Sequence, residues 1–209
     1  MAAARVRHLT PLLRWLLAFA ATCVGTLPGV LPAASGGAGR VAPAPSLQPW
    51  IDATPSGGRL QAPAGTYSGP VVISRPILID GRGEITVDGG GHGTVVTVRA
   101  SGVVLRGLHV RNSGDSHDRI DSGVLIADGH NNLVADNLID DVLFGITLQQ
   151  ANENRIVGNR IRSLALAAAA RGDGIRLWYS MGNRVENNDL QRVRDITVSN
   201  SLRNRFVGN

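Results

Sequence analysis

His130 and Met181 are the side chains in this sequence best suited to a soft metal ion. Each lies four residues after an apolar residue, His130 after Ile126 and Met181 after Leu177, and Asn152 follows Leu148 in the same way. If those apolar residues occupy successive turns of one repeat, His130, Asn152 and Met181 share a corner column. His130 and Met181 are then two rungs apart, roughly 10 Å at ~4.8 Å per rung. Imidazole and thioether together suit Cu(I), although that span needs help from a third group. The plain alternative is a row of exposed corner residues.

A second cluster holds Asp115, His117, Asp118 and Asp121, with Asp140, Asp141 and Asp173 placed near it by the same repeat. Carboxylates with an imidazole bind hard cations or act as acid and base. A sugar-cleaving site would need two carboxyls about 5–10 Å apart. Asp and Ser beside Gly are also ordinary turn chemistry, and Asp118 next to Arg119 reads equally as a surface pair. A third feature is Trp178-Tyr179 at an outward position, in a chain with few aromatic residues. Adjacent exposed aromatics suit a partner surface or a sugar. Packing under a neighbouring loop with Ala167 to Ala170, one possible helical turn, is the structural alternative.

These residues are positioned by a repeat. Asn154-Arg155-Ile156-Val157-Gly158-Asn159-Arg160-Ile161 returns as the phrases beginning at Asn132 and Asn183, and again as Asn204 to Asn209. In each phrase two Asn flank an apolar residue: Asn132/Asn137, Asn154/Asn159, Asn183/Asn188 and Asn204/Asn209. Val103 to Val110 keeps the spacing without the Asn. Ahead of each phrase stands an alternating apolar pair: Val96/Val98, Val124/Ile126, Ile146/Leu148, Ile175/Leu177 and Ile196/Val198. Period-2 alternation in short runs signals strands. Two short strands per unit, separated by Asn and Gly turns at a period near 22, describe a stacked β array. Asn tolerates the left-handed backbone of a sharp corner, and stacked amides can hydrogen-bond from coil to coil. Repetition in every coil makes these Asn a scaffold ladder rather than a ligand site.

The spacing after each phrase alternates. Val110 to Val124 and Ile161 to Ile175 are long, whereas Ile139 to Ile146 and Leu190 to Ile196 are shorter by about 7 residues. The extra residues, in Asn112–Asp121 and Ser163–Asp173, therefore leave the array at one corner and flank Asp140-Asp141. Upstream, Ser46 to Asp52 reads as a short helix with a Ser cap, Leu47, Trp50 and Ile51 sharing a face that closes the open end of the array. The last phrase stops at Asn209, so the array is expected to be incomplete at its C-terminus, with an uncapped apolar coil and poor solubility.

Composition narrows the function. All 21 basic residues are Arg, and Arg5, Arg7 and Arg14 fall within an acid-free stretch of residues 1–34. The remaining 18 Arg face 16 acids, nearly neutral and without a basic run, which disfavours nucleic acid. The apolar run from Trp15 to Val24, then Leu31-Pro32-Ala33-Ala34, reads as a cleaved signal peptide over 1–34, leading to the periplasm or outside the cell. The one cysteine, Cys23, would leave with it, so a disulfide or thiolate metal site is not expected. Residues 35–46 read as a flexible Gly/Ala/Pro linker and 47–209 as the array.

The opening Leu47 to Gly65-Thr66-Tyr67 resembles the start of secreted right-handed parallel β-helix proteins. Ser113-Gly114-Asp115 through Leu143-Phe144-Gly145-Ile146, followed by Arg171-Gly172-Asp173-Gly174-Ile175-Arg176-Leu177-Trp178, is similar to the NosD family, periplasmic maturation proteins of nitrous oxide reductase. The resemblance implies an all-β, right-handed parallel β-helix. It also implies an accessory protein for copper-site assembly rather than an enzyme. Its partners would be ABC transporter membrane subunits and a copper enzyme or copper chaperone, and copper would be handled without being tightly held. The alternative reading is a secreted carbohydrate-active β-helix, a lyase or hydrolase. Against it, the outward column Leu125, Thr147, Arg176 and Thr197 has no carboxylate.

Overall fold

The computed structural model describes residues 43–209; the expected signal peptide over 1–34 and most of the expected linker lie outside the described residues. Strands are nearly all parallel and close together in space only through successive coils. Each full coil carries three strands rather than two, because the Asn phrase itself turns a corner at its second Asn. The first face stacks β2 (Val71–Ile73), β4 (Val96–Val98), β6 (Ser122–Ala127), β9 (Phe144–Gln149), β12 (Ile175–Trp178) and β15 (Ile196–Ser199). The second stacks the first parts of β3 (Leu78–Asp88) and β5 (Val104–Arg111) with β7 (Leu133–Ala135), β10 (Arg155–Val157), β13 (Arg184–Glu186) and β16 (Arg205–Val207). The third stacks β1 (Gly65–Ser68), the later parts of β3 and β5, β8 (Leu138–Val142), β11 (Arg160–Ser163) and β14 (Asp189–Gln191). This is a parallel β-helix.

The register follows the apolar spacing. Val98, Ile126, Leu148, Leu177 and Val198 are consecutive partners on the first face. Leu105, Val134, Ile156, Val185 and Phe206 are consecutive partners on the second. Both columns are buried up to Leu177 and Val185, while Val198 and Phe206 in the final rung are 44% and 38% exposed. The helix α1 (Gln48–Ala53) drives Leu47 and Ile51 into the core. Its N-cap is Leu47 with no side-chain cap, and Trp50 is exposed rather than joining that face. Ser46, one residue ahead of the N-cap, still accepts the Gln48 N–H on Oγ at 3.2 Å, and Pro49 sits in the first turn.

The corners divide into two fixed kinds and one variable kind. From β4 onward the connections between the first and second faces are 99–103, 128–132, 150–154, 179–183 and 200–204, all one length, while 74–77 before them is one residue shorter. Between the second and third they are 136–137, 158–159 and 187–188. Beyond the first coil, where β3 carries extra residues between Asp80 and Ile85, only the return from third to first face varies, from the single residue 143 to the loop 164–174. At the fixed corners the left-handed residue is not the ladder Asn. It is the residue before it: Asn131, Glu153, Gly182 and Arg203 ahead of the first Asn, and Asp136, Gly158, Asn187 and Gly208 ahead of the second. This kink turns the following Asn inward, where all six ladder amides from Asn132 to Asn188 are buried.

The buried amides form two one-way ladders. Backbone N–H and Nδ2 of Asn154 both donate to Asn183 Oδ1 (2.8 and 3.1 Å), and those of Asn183 donate to Asn204 Oδ1 (2.8 and 3.0 Å). The second ladder repeats this from Asn137 to Asn159 (3.1 and 2.9 Å), Asn159 to Asn188 and Asn188 to Asn209. Val103 and Leu108, lacking amides, still donate their N–H to Asn132 and Asn137 Oδ1 (2.7 and 3.0 Å), so the ladders start there. Buried backbone donors at every corner are thereby satisfied without water.

Candidate functional site

The two enlarged loops emerge at the variable corner, as their spacing predicts, and touch: His117 Nε2 lies 3.0 Å from Ala170 O, and its ring stacks edge-on with Phe144 at 5.6 Å. The Ala run forms a single 3₁₀ turn, Ala168–Ala170. The acidic residues, however, are distributed over separate environments. Asp115, Asp118 and Asp141 are exposed. Asp121 is buried beneath its own loop, accepting Ser116 N–H at 3.0 Å, and it is Asp121 rather than Asp118 that pairs with Arg119, at 3.3 Å. Asp173 is fully buried and accepts Arg194 Nε and Nη2 on Oδ1 at 3.0 and 2.9 Å.

Asp140 belongs to an outward column on the third face, Asp88, Arg111, Asp140, Arg162 and Gln191, in which acids and bases alternate. It receives His109 Nε2 at 2.7 Å and Arg162 at 2.8 Å. Burial pulls its pKa up, but the hydrogen bonds and charges of His109 and Arg162 outweigh that and hold it below the ordinary carboxylate value. A depressed folded pKa contributes stability above the unfolded pKa, lost as pH falls through the lower folded value. The Asp140→Asn chain should therefore be less stable than wild type at neutral pH, with the difference closing below about pH 4. Denaturation midpoints at stepped pH check this; a constant difference would mean that the ion pairs carry no net stabilisation.

His130, Asn152 and Met181 do share a corner column. Asn131 N–H donates to Asn152 O, and Glu153 N–H to Met181 O, one rung after another. The side chains of that column are acceptors for the next rung: Ser101 Oγ takes His130 N–H (2.9 Å), His130 Nδ1 takes Asn152 N–H (3.1 Å), and Asn152 Oδ1 takes Met181 N–H (2.8 Å). With Nδ1 accepting, neutral His130 carries its proton on Nε2. Copper at Nε2 would require turning the ring off that N–H, and Asn152 still separates it from Met181. No group of three His, Cys, Asp or Glu able to hold a metal occurs among the described residues. The donor set does not fit a resident copper ion.

Trp178 and Tyr179 pack edge-on at 4.6 Å, Tyr179 being 48% exposed and left-handed at the corner (φ 47°). Trp178 and Arg176 point outward on β12, beside Thr147 and Gln149 of β9. Ile120 from the first enlarged loop lines an open pocket of about 140 Å³ with them, and Thr147 is buried there, its hydroxyl meeting Ser122 Oγ at 2.9 Å. The sequence places Arg176 and Trp178 outward; the position of Ile120 depends on the loop's path and has no periodic signal.

A three-faced parallel β-helix with amide ladders at two corners and long loops at the third is a scaffold class shared by many functions. A family model described as periplasmic copper-binding protein (NosD) matches residues 64–209. The chain belongs to the NosD family. It is 28% identical over 140 residues to a "Probable ABC transporter binding protein NosD" of Pseudomonas aeruginosa, covering 66% of this chain and 33% of that protein. A protein of the same description from Stutzerimonas stutzeri is 26% identical over 139 residues, covering 66% of this chain and 32% of the relative. The chain spans about a third of the length of these relatives.

Proposed function

We propose that this chain is a periplasmic, non-catalytic accessory protein that works beside an ABC transporter in assembling the copper site of an enzyme such as nitrous oxide reductase. The observation that carries this reading is the family match across residues 64–209. The geometry is in keeping with it. The buried acids Asp121, Asp140 and Asp173 are each engaged by an arginine, so none is poised as an acid or base. The outward column through Leu125, Thr147, Arg176 and Thr197 offers no carboxylate to a substrate. Deleting the gene in its native host should leave the reductase polypeptide present but copper-poor by metal analysis. A copper-replete reductase in the deletion strain would sink the reading.

Within that role the chain contacts copper transiently at most, and His130 and Met181 are the side chains available for such contact. Competition titration with Cu(I) should place wild type, His130→Ala, Met181→Leu and His117→Ala within about tenfold of one another. A hundredfold loss confined to the first two variants would instead establish a resident His–Met site.

A further inference from the structure

Arg176 differs from the arginines that pair with carboxylates elsewhere on these faces. Arg106, Arg111, Arg162 and Arg194 each place guanidinium nitrogens within 3.0 Å of a carboxylate. Arg176 donates no hydrogen bond to any described residue: Nη1 stops 3.6 Å from Asp173 Oδ2, and Nε is buried without a partner. Its side chain is 25% exposed and lines a pocket, and of its guanidinium nitrogens only Nε is buried without a partner. Arg194 holds Asp173 through Oδ1, leaving Oδ2 facing Arg176 without a hydrogen bond, and the two guanidiniums around one carboxylate leave an excess positive charge. A planar fork in a half-buried setting matches a carboxylate, which accepts two parallel N–H groups.

The surroundings define what brings that carboxylate. Gln149 is exposed at the rim and its amide has no hydrogen-bond partner among the described residues. The Trp178 indole and Ile120 form apolar walls, and the lining contains no acidic residue. At about 140 Å³ the pocket is well below the roughly 300–1,000 Å³ of small-molecule sites, but it admits one side chain. Trp and Arg around a small socket are the composition of an interface hot spot. We propose that this pocket receives the carboxylate of a single acidic side chain from a protein partner, with Arg176 taking the oxygens and Trp178 and Ile120 covering the stem. The inference does not rest on the copper-related reading.

The test follows the Trp178 indole N–H by NMR in the full chain, at constant ionic strength, with Trp50 on α1 as an internal control. N-acetylglutamate α-amide should shift the Trp178 signal saturably in the millimolar range and leave Trp50 unmoved, whereas N-acetylglutamine α-amide, which has no carboxylate, should not. Arg176→Gln should abolish the shift. Gln149→Glu, which alters only an exposed rim residue and sets a like charge beside the ligand, should weaken binding about tenfold. This second variant decides the matter if Arg176→Gln fails to fold. Equal shifts with N-acetylglutamine α-amide, or none with either compound, would overturn the proposal. Tighter binding of galacturonate than of N-acetylglutamate α-amide would overturn it too, assigning the pocket to an acidic sugar.

Discussion

Ile156→Asp should abolish cooperative folding. Ile156 is fully buried on β10, paired to Val134 in the preceding coil and Val185 in the following one. A carboxylate there has no donor to meet, and the neighbouring side chains are all aliphatic. The expected loss exceeds about 4 kcal/mol, a large share of the stability of an ordinary domain. The effect is enlarged by the architecture, because each coil is held only by its neighbours, so an unsound middle rung uncouples the coils on either side. Val157→Thr, one residue along and facing outward, should change stability by no more than about 0.5 kcal/mol. Guanidinium unfolding of both variants checks the contrast. A cooperative transition near the wild-type midpoint for Ile156→Asp would refute the assigned packing.

Asn159→Ala should cost about 3 kcal/mol, although it removes no apolar contact of consequence. Asn159 Oδ1 accepts both donors of Asn137, and its Nδ2 donates to Val134 O at 2.9 Å and Asn188 Oδ1 at 3.0 Å. Truncation strands the buried Asn137 N–H inside the corner, which costs more than the bond itself. Asn159→Asp should be no better. It retains the acceptor but turns an oxygen toward Val134 O and Asn188 Oδ1, and buries a charge. Because protonation restores one donor, the N159D chain should recover part of its deficit as pH falls, and N159A should not. Parallel pH dependence of the two variants would show that the amide's direction is immaterial.

Much of this arrangement was readable from spacing alone. Apolar columns, coil order, the His130–Asn152–Met181 row and the shared corner of the two loops all follow from counting, since β stacking puts equivalent positions in contact. What counting missed was conformational or lateral. The left-handed kink sits at Asn131 or Asp136 rather than at the ladder Asn, because inward-facing amides need the preceding residue, not themselves, to turn. The acidic cluster dissolved because Arg162 and Arg194 reach across rungs to Asp140 and Asp173, and no repeat encodes which arginine a carboxylate will meet. Asp115 and Asp118 were near one another only along the chain. The orphaned guanidinium of Arg176 is invisible in sequence, since its isolation is a matter of distances.

The unequal corners also govern where this protein can change. Connections of constant length are pinned by an amide that must meet its counterpart one rung away, so an inserted residue there would shift every later strand out of step. The return from third to first face carries no such pin, and in this one chain it already ranges from the single residue 143 to the loop 164–174. Novelty is thus channelled onto one edge of the prism. Divergence among relatives should accumulate along that edge as insertions and deletions while the remaining two edges drift only by substitution. For an engineer, the same edge is the place to graft a foreign loop or epitope, within the exposed parts of the two long loops rather than at the fully buried Leu143.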